Sequence, residues 1–187
     1  DRLASDFGIV RGLAWTSVGG DTLQIEVNVM PGKGVLQMTG QMGDVMKESA
    51  QIALTYVRSV ASDYGVKENY FEKHDIHLHI PEGAVPKDGP SAGITMATAM
   101  LSAVTGRKVL PRVAMTGEVT LRGHVLMIGG LKEKLLAARM AQVEKVLVPA
   151  KNQPDVEELS KEITKGMEIV YIKEMNEVIR EAFVPEK

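Results

Sequence analysis

The chain has 187 residues, of which 44% are hydrophobic and 25% are charged, and its formal net charge is −2 at pH 7. This composition excludes disordered and fibrous chains, and the near-neutral charge gives no bulk attraction to nucleic acid or anionic membranes. Cysteine is absent, which excludes disulfides, thiolate catalysis and cysteine zinc sites, and no apolar run approaches the roughly 20 residues of a membrane span. We therefore expect a cytoplasmic protein with neither a membrane nor a nucleic-acid partner.

The N-terminal region combines an unpatterned segment with a predicted hairpin. Residues 1–11 show no clear period and no initiator Met, so we interpret them as the remnant of a linker and 12–187 as one domain. Apolar residues alternate with polar ones over 23–30, which predicts a half-buried strand. The turn residues 31–34 predict that 35–39 pairs back on this strand as a hairpin.

The rest of the chain mixes helices with strands. Apolar periodicity and glycine end signals predict helices over 44–64, 91–105, 131–142, 154–163 and 175–183. Short or alternating apolar runs predict strands over 75–80, 113–118, 125–128, 146–148 and 167–172. Because strands come first and strands mixed with helices follow, we predict an α+β fold: a compact single domain with a mixed β-sheet and packed helices.

Motifs for ATP and metal binding are weak or missing. The phosphate-binding loop G-x-x-x-x-G-K-[ST] is absent, so the domain is not expected to hydrolyse ATP by itself. His77 and His79 alternate on a strand and could share a metal, but no third ligand is evident. A solvated or hydrogen-bonded strand face is the alternative for this pair. We expect neither a cofactor nor a metal in this domain.

Ser91 is the first candidate nucleophile. Ser91 lies in Gly-Pro-Ser-Ala-Gly, which fits the G-x-S-x-G nucleophile elbow of α/β-hydrolases. That elbow follows a strand directly, but no strand is predicted immediately before Ser91. The only possible triad partners of Ser91 are Glu118 and His124. The predicted helix start places backbone N–H groups beside Ser91, where they favour an oxyanion. The structural alternative is that Ser91 merely caps the helix.

Lys134 is the candidate base. At about 3.6 residues per turn it shares the apolar stripe of its helix, whereas Lys132 falls on the opposite side. The predicted stripe consists of Leu131, Lys134, Leu135 and Ala138. Burial lowers the pKa of a lysine, and a neutral lysine can take a proton from a serine hydroxyl. The alternative is a lysine whose stem packs while its head reaches water.

Several long motifs resemble one protein family over nearly the whole chain. They are G-L-A-W-T-S-V-G-G-D, P-G-K-G, P-K-D-G-P-S-A-G-I, M-T-G-E-V-T-L-R-G and I-G-G-L-K-E-K-L-L-A-A. In this order they resemble the proteolytic domain of bacterial Lon, the ATP-dependent protease. The resemblance implies a compact α+β domain, a Ser–Lys dyad and homohexameric rings. It also implies an ATPase module, with ATP and Mg as its cofactors, that feeds unfolded protein or peptide substrates to the site.

The resemblance also implies roles for individual residues. The family's serine nucleophile matches Ser91, its general-base lysine matches Lys134, and the threonine that hydrogen-bonds this lysine matches Thr116. Backbone N–H groups around Ser91 would form the oxyanion hole. Further positions near the family's active site are matched by Glu118, Asp88, His77 and His79. A tryptophan of the first motif matches Trp15, which we expect in the core or in the wall of the groove.

Two other functions remain open at this stage. One is an α/β-hydrolase-like esterase that uses Ser91, Glu118 and His124. The other is a non-catalytic binding module with a Lon-like fold. The resemblance to Lon implies instead a serine endopeptidase with a Ser–Lys dyad that, in the full-length protein, degrades misfolded and regulatory proteins with the help of ATP.

Overall fold

A seven-stranded mixed β-sheet runs through the part of the chain that the computed structural model describes, which is residues 7–16, 19–81 and 89–186. Its strands are β1 (Ile9–Thr16), β2 (Gly19–Pro31), β3 (Leu36–Gly40), β4 (His74–Ile80), β5 (Val113–Met115), β8 (Lys145–Pro149) and β9 (Glu168–Ile172). A separate two-stranded sheet consists of β6 (Glu118–Val119) and β7 (Val125–Leu126). The helices are α1 (Asp44–Val60), α2 (Tyr70–Lys73), α3 (Gly93–Thr105), α4 (Leu131–Met140), α5 (Gln153–Glu157), α6 (Lys161–Thr164) and α7 (Met175–Ala182). None of the helices in the described ranges is long and apolar enough to cross a membrane.

The large sheet combines antiparallel and parallel pairs in the order β3-β4-β2-β1-β5-β8-β9. The strands β1 and β2 form an antiparallel hairpin in which Trp15 faces Gly20, and β4 pairs antiparallel with the other edge of β2. From β1 to β9 the neighbours are parallel, as are β3 and β4. The predicted α+β fold with a mixed sheet is therefore confirmed.

Helix α3 lies at the centre of the core. Every residue from Gly93 to Ser102 is buried, and the small side chains of this segment allow close packing against the sheet and against α1. The helix ends at Gly106, whose φ of 69° is the left-handed conformation that a glycine C-cap adopts. The predicted end of this helix is thus confirmed. Its predicted start is wrong by two residues, because the helix begins at Gly93 and not at Ser91.

A second, smaller apolar cluster lies under α4 on the other side of the sheet. Its helical members are Leu131, Leu135 and Ala138, which pack with residues of β5 and β8. This cluster fixes the rotation of α4 about its axis, so the residues between these positions on the same face must also point inward. Lys134 is one of them.

The predicted hairpin between 23–30 and 35–39 is wrong. Strand β3 pairs in parallel with β4, while the edge of β2 that it was expected to join is occupied by β4. The physical reason lies in Asp75 at the start of β4. Its Oδ1 accepts hydrogen bonds from the consecutive N–H groups of Lys33, Gly34 and Val35 at 2.9 to 3.0 Å, so the loop wraps around this carboxylate and passes to the far side of β4.

Two further predictions need correction. The segment 154–163 does not form one helix, because the chain breaks after α5 and Ser160 caps α6 by accepting a hydrogen bond from the N–H of Glu162. Residues 9–11, predicted as part of a linker remnant, are the first residues of β1, where backbone pairing with β2, and with β5 at Arg11, outweighs their irregular pattern. The division of the chain into linker and domain otherwise stays a prediction.

Candidate active site

Lys134 points into the protein from the first turns of α4. The four buried residues of this helix are Leu131, Lys134, Leu135 and Ala138, whereas Lys132 is exposed, which confirms the predicted faces. Only 3% of Lys134 is exposed to solvent, so the alternative of a lysine whose head reaches water is wrong. Burial lowers the pKa of Lys134 from its ordinary 10.5 to about 8.

Thr116 accepts a hydrogen bond that orients this lysine. The Lys134 Nζ donates to Thr116 Oγ1 at 3.2 Å, and Thr116 is itself fully buried immediately after β5. The Thr116 hydroxyl donates in turn to the carbonyl oxygen of Ser91 at 3.5 Å. One hydroxyl therefore connects the lysine with the backbone of the candidate nucleophile.

Ser91 lies in a tight turn that precedes α3. The N-cap of this helix is Ala92, and no side chain caps it, so the alternative in which Ser91 serves as a helix cap is wrong. The carbonyl of Ser91 accepts the N–H of Gly117 at 2.8 Å, and the carbonyl of Gly117 accepts the N–H of Ile94 at 3.1 Å. This reciprocal pair of backbone bonds holds the serine turn against the end of β5.

Ser91 and Lys134 line the same pocket, which has a volume of about 460 Å³. Its walls are mostly apolar and come from β1, β2 and α1; they include Leu13, Trp15, Leu23 and Met46. Trp15 is 59% exposed, so it forms part of the pocket wall and not of the core. The sequence patterns for single strands and helices did not reveal this pocket, because its walls come from elements that are distant in sequence.

The histidines predicted near the site lie elsewhere. His77 Nε2 and His79 Nδ1 lie 2.8 and 2.6 Å from the hydroxyl of Thr39, and both rings line a second pocket together with Glu26. The hydrogen-bonded strand face is therefore the arrangement that the structure contains. In the described part of the chain, no three His, Asp or Glu side chains come together as a group able to hold a metal ion.

The structure describes one of the two predicted acidic residues. Glu118 begins β6, where it pairs with Leu126, and it does not line the cavity that contains Ser91. Asp88 lies outside the described residues. Gly117 was not predicted as a site residue, although it lies between Thr116 and Glu118 in the motif M-T-G-E-V-T-L-R-G.

The triad required by the esterase alternative is not assembled. His124 Nδ1 lies 2.9 Å from Glu174 Oε2, and the two residues also form a backbone bridge between the turn of the β6–β7 hairpin and the start of α7. His124 does not line the pocket of Ser91. Its ring is oriented by a carboxylate on the outside of the molecule, so it is not available as the base of this serine.

An α+β domain with a serine and a desolvated lysine in one pocket has the parts of a serine endopeptidase that works without histidine. Comparison with known proteins identifies the particular class. The chain matches the family of the Lon protease C-terminal proteolytic domain over residues 2–185, and it belongs to this family. The resemblance seen in the sequence motifs is thereby confirmed, and nothing supports the esterase.

Curated relatives agree with this assignment. The chain is 68% identical over 179 residues to the Lon protease of Lachnoclostridium phytofermentans, 55% identical over 180 residues to Lon protease 1 of Bacillus subtilis and 53% identical over 177 residues to the Lon protease of Clostridioides difficile. These matches cover 95 to 96% of this chain but 22 to 23% of the relatives. The chain thus spans about a fifth of the length of the curated relatives it matches.

Proposed function

We propose that this chain cleaves peptide bonds with Ser91 as the nucleophile and Lys134 as the general base. The observation that carries the proposal is the burial of Lys134 in the pocket of Ser91, with its Nζ directed to Thr116. Lys134 takes the proton of the Ser91 hydroxyl, and the serine oxygen attacks the peptide carbonyl. The resulting ammonium group then protonates the leaving amine, and water hydrolyses the acyl-enzyme.

The lowered pKa of Lys134 makes this chemistry feasible near neutral pH. With a pKa of about 8, about 10% of the side chains are neutral at pH 7, compared with about 0.03% for an ordinary lysine at 10.5. This is a gain of more than two orders of magnitude in the form that can accept a proton. Thr116 acts as a positioning residue, because its hydroxyl fixes the Nζ of Lys134.

Backbone N–H groups of the serine turn are the proposed oxyanion hole. The N–H groups of Gly93 and Ile94 already donate to the carbonyls of Pro90 and Gly117, so they hold the turn together. We therefore assign the stabilisation of the tetrahedral oxyanion to the N–H groups closer to Ser91. Because the hydrogen-bonded turn already holds these N–H groups in place, they need no reorganisation during the reaction and lower the activation barrier of peptide cleavage.

The activity of the whole protein extends beyond this domain. We propose that the chain works as part of an ATP-dependent protease in the cytoplasm that degrades misfolded and regulatory proteins. The support is its similarity to proteins that carry the name Lon protease and are more than four times as long. The proposal includes a homohexamer and a separate ATPase module that uses ATP and Mg. Unfolded proteins and peptides are the proposed substrates.

Cleavage of a short fluorogenic peptide without ATP tests the dyad. We expect Ser91→Ala to abolish turnover, and Lys134→Ala to lose nearly as much, because members of one catalytic unit do not contribute additively. The matched control is Lys132→Ala, two residues away on the exposed face of α4, which should retain most of the activity. Activity should also rise with pH through an apparent pKa near 8.

Two results would contradict the proposal. Turnover by purified Ser91→Ala at the wild-type rate would exclude Ser91 as the nucleophile. Equal losses in Lys134→Ala and Lys132→Ala would exclude a specific role for the buried lysine. His124→Ala adds a further control, since it should leave cleavage intact, whereas a Ser–His mechanism requires this ring.

A further inference from the structure

The hairpin of β1 and β2 touches the first turn of α4 at Gly20. A Cβ atom built on Gly20 would lie 2.0 Å from the carbonyl oxygen of Glu133, 2.5 Å from its carbonyl carbon and 3.2 Å from the backbone nitrogen of Lys134. These atoms belong to the peptide bond that leads into Lys134. The backbone of β2 is therefore packed directly against the part of α4 that carries the lysine.

Glycine is required here for space and not for conformational freedom, because Gly20 is not among the glycines with positive φ. The obstacle to a side chain is the helix backbone, which has no rotamer to change. Across the hairpin, Trp15 is the direct pairing partner of Gly20, and its side chain lies about 3.1 Å from where a Cβ of Gly130 would be. Gly130 is the N-cap of α4 and accepts the N–H of Lys134 at 3.0 Å. The Trp15–Gly20 pair thus contacts both ends of the first helical turn.

We infer that Gly20 is a positioning residue for catalysis: by leaving no side chain between β2 and α4, it lets Lys134 reach Thr116 and the pocket of Ser91. This inference rests on the proposed role of Lys134 as the base. Gly20 has no atom at the reacting centre and acts through the backbone of residues 133–134. Its role follows from one close approach of two backbones.

An alanine at position 20 would move α4 away from β2. A 2.0 Å contact with a carbonyl oxygen must open by more than about 1 Å before it becomes an ordinary van der Waals contact. The hydrogen bond from Lys134 Nζ to Thr116 is already 3.2 Å long, and the same displacement would take it beyond hydrogen-bonding distance. Misplacing a catalytic group by about 1 Å lowers turnover about 100-fold. KM should change less, since most of the pocket wall is unaffected.

The pKa of Lys134 reports the displacement separately from activity. When α4 moves outward, water reaches the ammonium group, so the pKa of Lys134 should rise from about 8 toward 10.5. Among the described residues that line the pocket, Glu133 is the other titratable group. A ¹³C NMR titration of the lysine Cε atoms measures this pKa, with the signal assigned by its loss in Lys134→Met.

Gly12→Ala provides a matched control on the neighbouring strand. A Cβ at Gly12 would lie 2.9 Å from Thr95 Oγ1 and 3.2 Å from Thr95 Cγ2, so it is also crowded, but against a side chain of α3. We expect Gly12→Ala to lower the melting temperature without changing the pKa of Lys134. A purely structural effect of glycine replacement in this sheet would appear equally in both variants.

The test measures kcat, KM and the pKa of Lys134 for the wild type, Gly20→Ala and Gly12→Ala. We expect a loss of about 100-fold in kcat and a raised pKa for Gly20→Ala alone. A wild-type kcat and pKa in Gly20→Ala, or the same pKa rise in Gly12→Ala, would overturn the inference. If Gly20→Ala does not fold, Gly130→Ala is the second variant, because it disturbs the same helical turn from its other end. Gly130→Ala should also raise the pKa of Lys134. An unchanged pKa of Lys134 in Gly130→Ala would overturn the inference.

The experiment distinguishes a failure of the positioning role of Gly20 from a failure of the proposed Ser–Lys dyad. If Lys134→Ala is inactive while Gly20→Ala behaves as the wild type, only the positioning role fails. If Lys134→Ala remains active, the dyad itself fails, whatever Gly20→Ala does to turnover. The NMR titration still reports whether Gly20 controls the environment of Lys134 in that case.

Discussion

Replacing Lys134 by methionine should stabilise the fold at neutral pH while it abolishes activity. The pKa of Lys134 is lowered from 10.5 to about 8 by burial, so keeping the side chain charged below pH 8 costs the folded state about 3 kcal/mol, at about 1.4 kcal/mol per pKa unit. Methionine has a similar unbranched shape and no charge. The variant loses the hydrogen bond to Thr116, worth about 1.5 kcal/mol because its donor is charged, and should therefore be about 1.5 kcal/mol more stable than the wild type at pH 7.

The difference between the two proteins should depend on pH in a defined window. Between pH 8 and 10.5 the unfolded wild type keeps the proton on Lys134 while the folded protein has released it. The free energy of unfolding of the wild type therefore rises relative to that of Lys134→Met as the pH increases through this window. Below pH 8 both states hold the proton and the difference is constant. Near pH 10.5 the advantage of methionine should have disappeared.

Urea unfolding followed by far-UV circular dichroism, at fixed protein concentration from pH 6.5 to 10.5, measures this difference. Other groups titrate equally in both proteins, so their contributions cancel in the difference between the two free energies of unfolding. This includes Tyr56, whose burial raises its pKa to about 12. Lys132→Met is the control, since Lys132 is exposed and the difference for this variant should be flat. A difference for Lys134→Met that stays constant across the window would refute a desolvated lysine at this position.

Two further predictions concern polar groups that hold loops in place. Asp75→Asn should lower the melting temperature at pH 7, because the carboxylate accepts hydrogen bonds from the three N–H groups of residues 33–35. These bonds also lower the pKa of Asp75. The stability advantage of the wild type should therefore be present above about pH 4 and disappear as the pH falls through the lowered pKa. Asn152→Ala should lower the free energy of unfolding by about 2–3 kcal/mol in a urea titration, since the buried amide exchanges two 2.9 Å hydrogen bonds with the backbone of Ile128. The exposed neighbour Gln153→Ala should have little effect.

The position of Lys134 could be predicted from sequence because helix periodicity is a local property. Three apolar residues at spacings of three and four fix the buried face of α4, and the lysine between them has to follow. The end of α3 at Gly106 was predictable for a similar reason, as a left-handed glycine terminates a helix within one residue. Such patterns depend on neighbours within one or two turns.

Strand pairing was less predictable because the partner of a strand can be distant in sequence. The segment containing β3 looks like the second arm of a hairpin, yet Asp75, some forty residues further on, binds the intervening loop and directs β3 to β4. Strand β1 was not predicted at all, because its residues are ordered by pairing with β2 along the whole strand and with β5 at residues 11–12, and not by their own alternation. Neither interaction can be recognised from the local spacing of apolar and polar residues.

Ser91 and Lys134 line one pocket, and the dipeptide Thr116-Gly117 contacts both of them. Gly117 donates its N–H to the carbonyl of Ser91, while the hydroxyl of Thr116 accepts the Nζ of Lys134. A small displacement of β5 would move serine and lysine together and preserve their relative position. A displacement of α4 against β2 moves the lysine alone, so the geometry of the pair is most sensitive where Gly20 meets the helix. The same reasoning explains why crowding on α3, on the serine side, should affect stability more than the environment of the base.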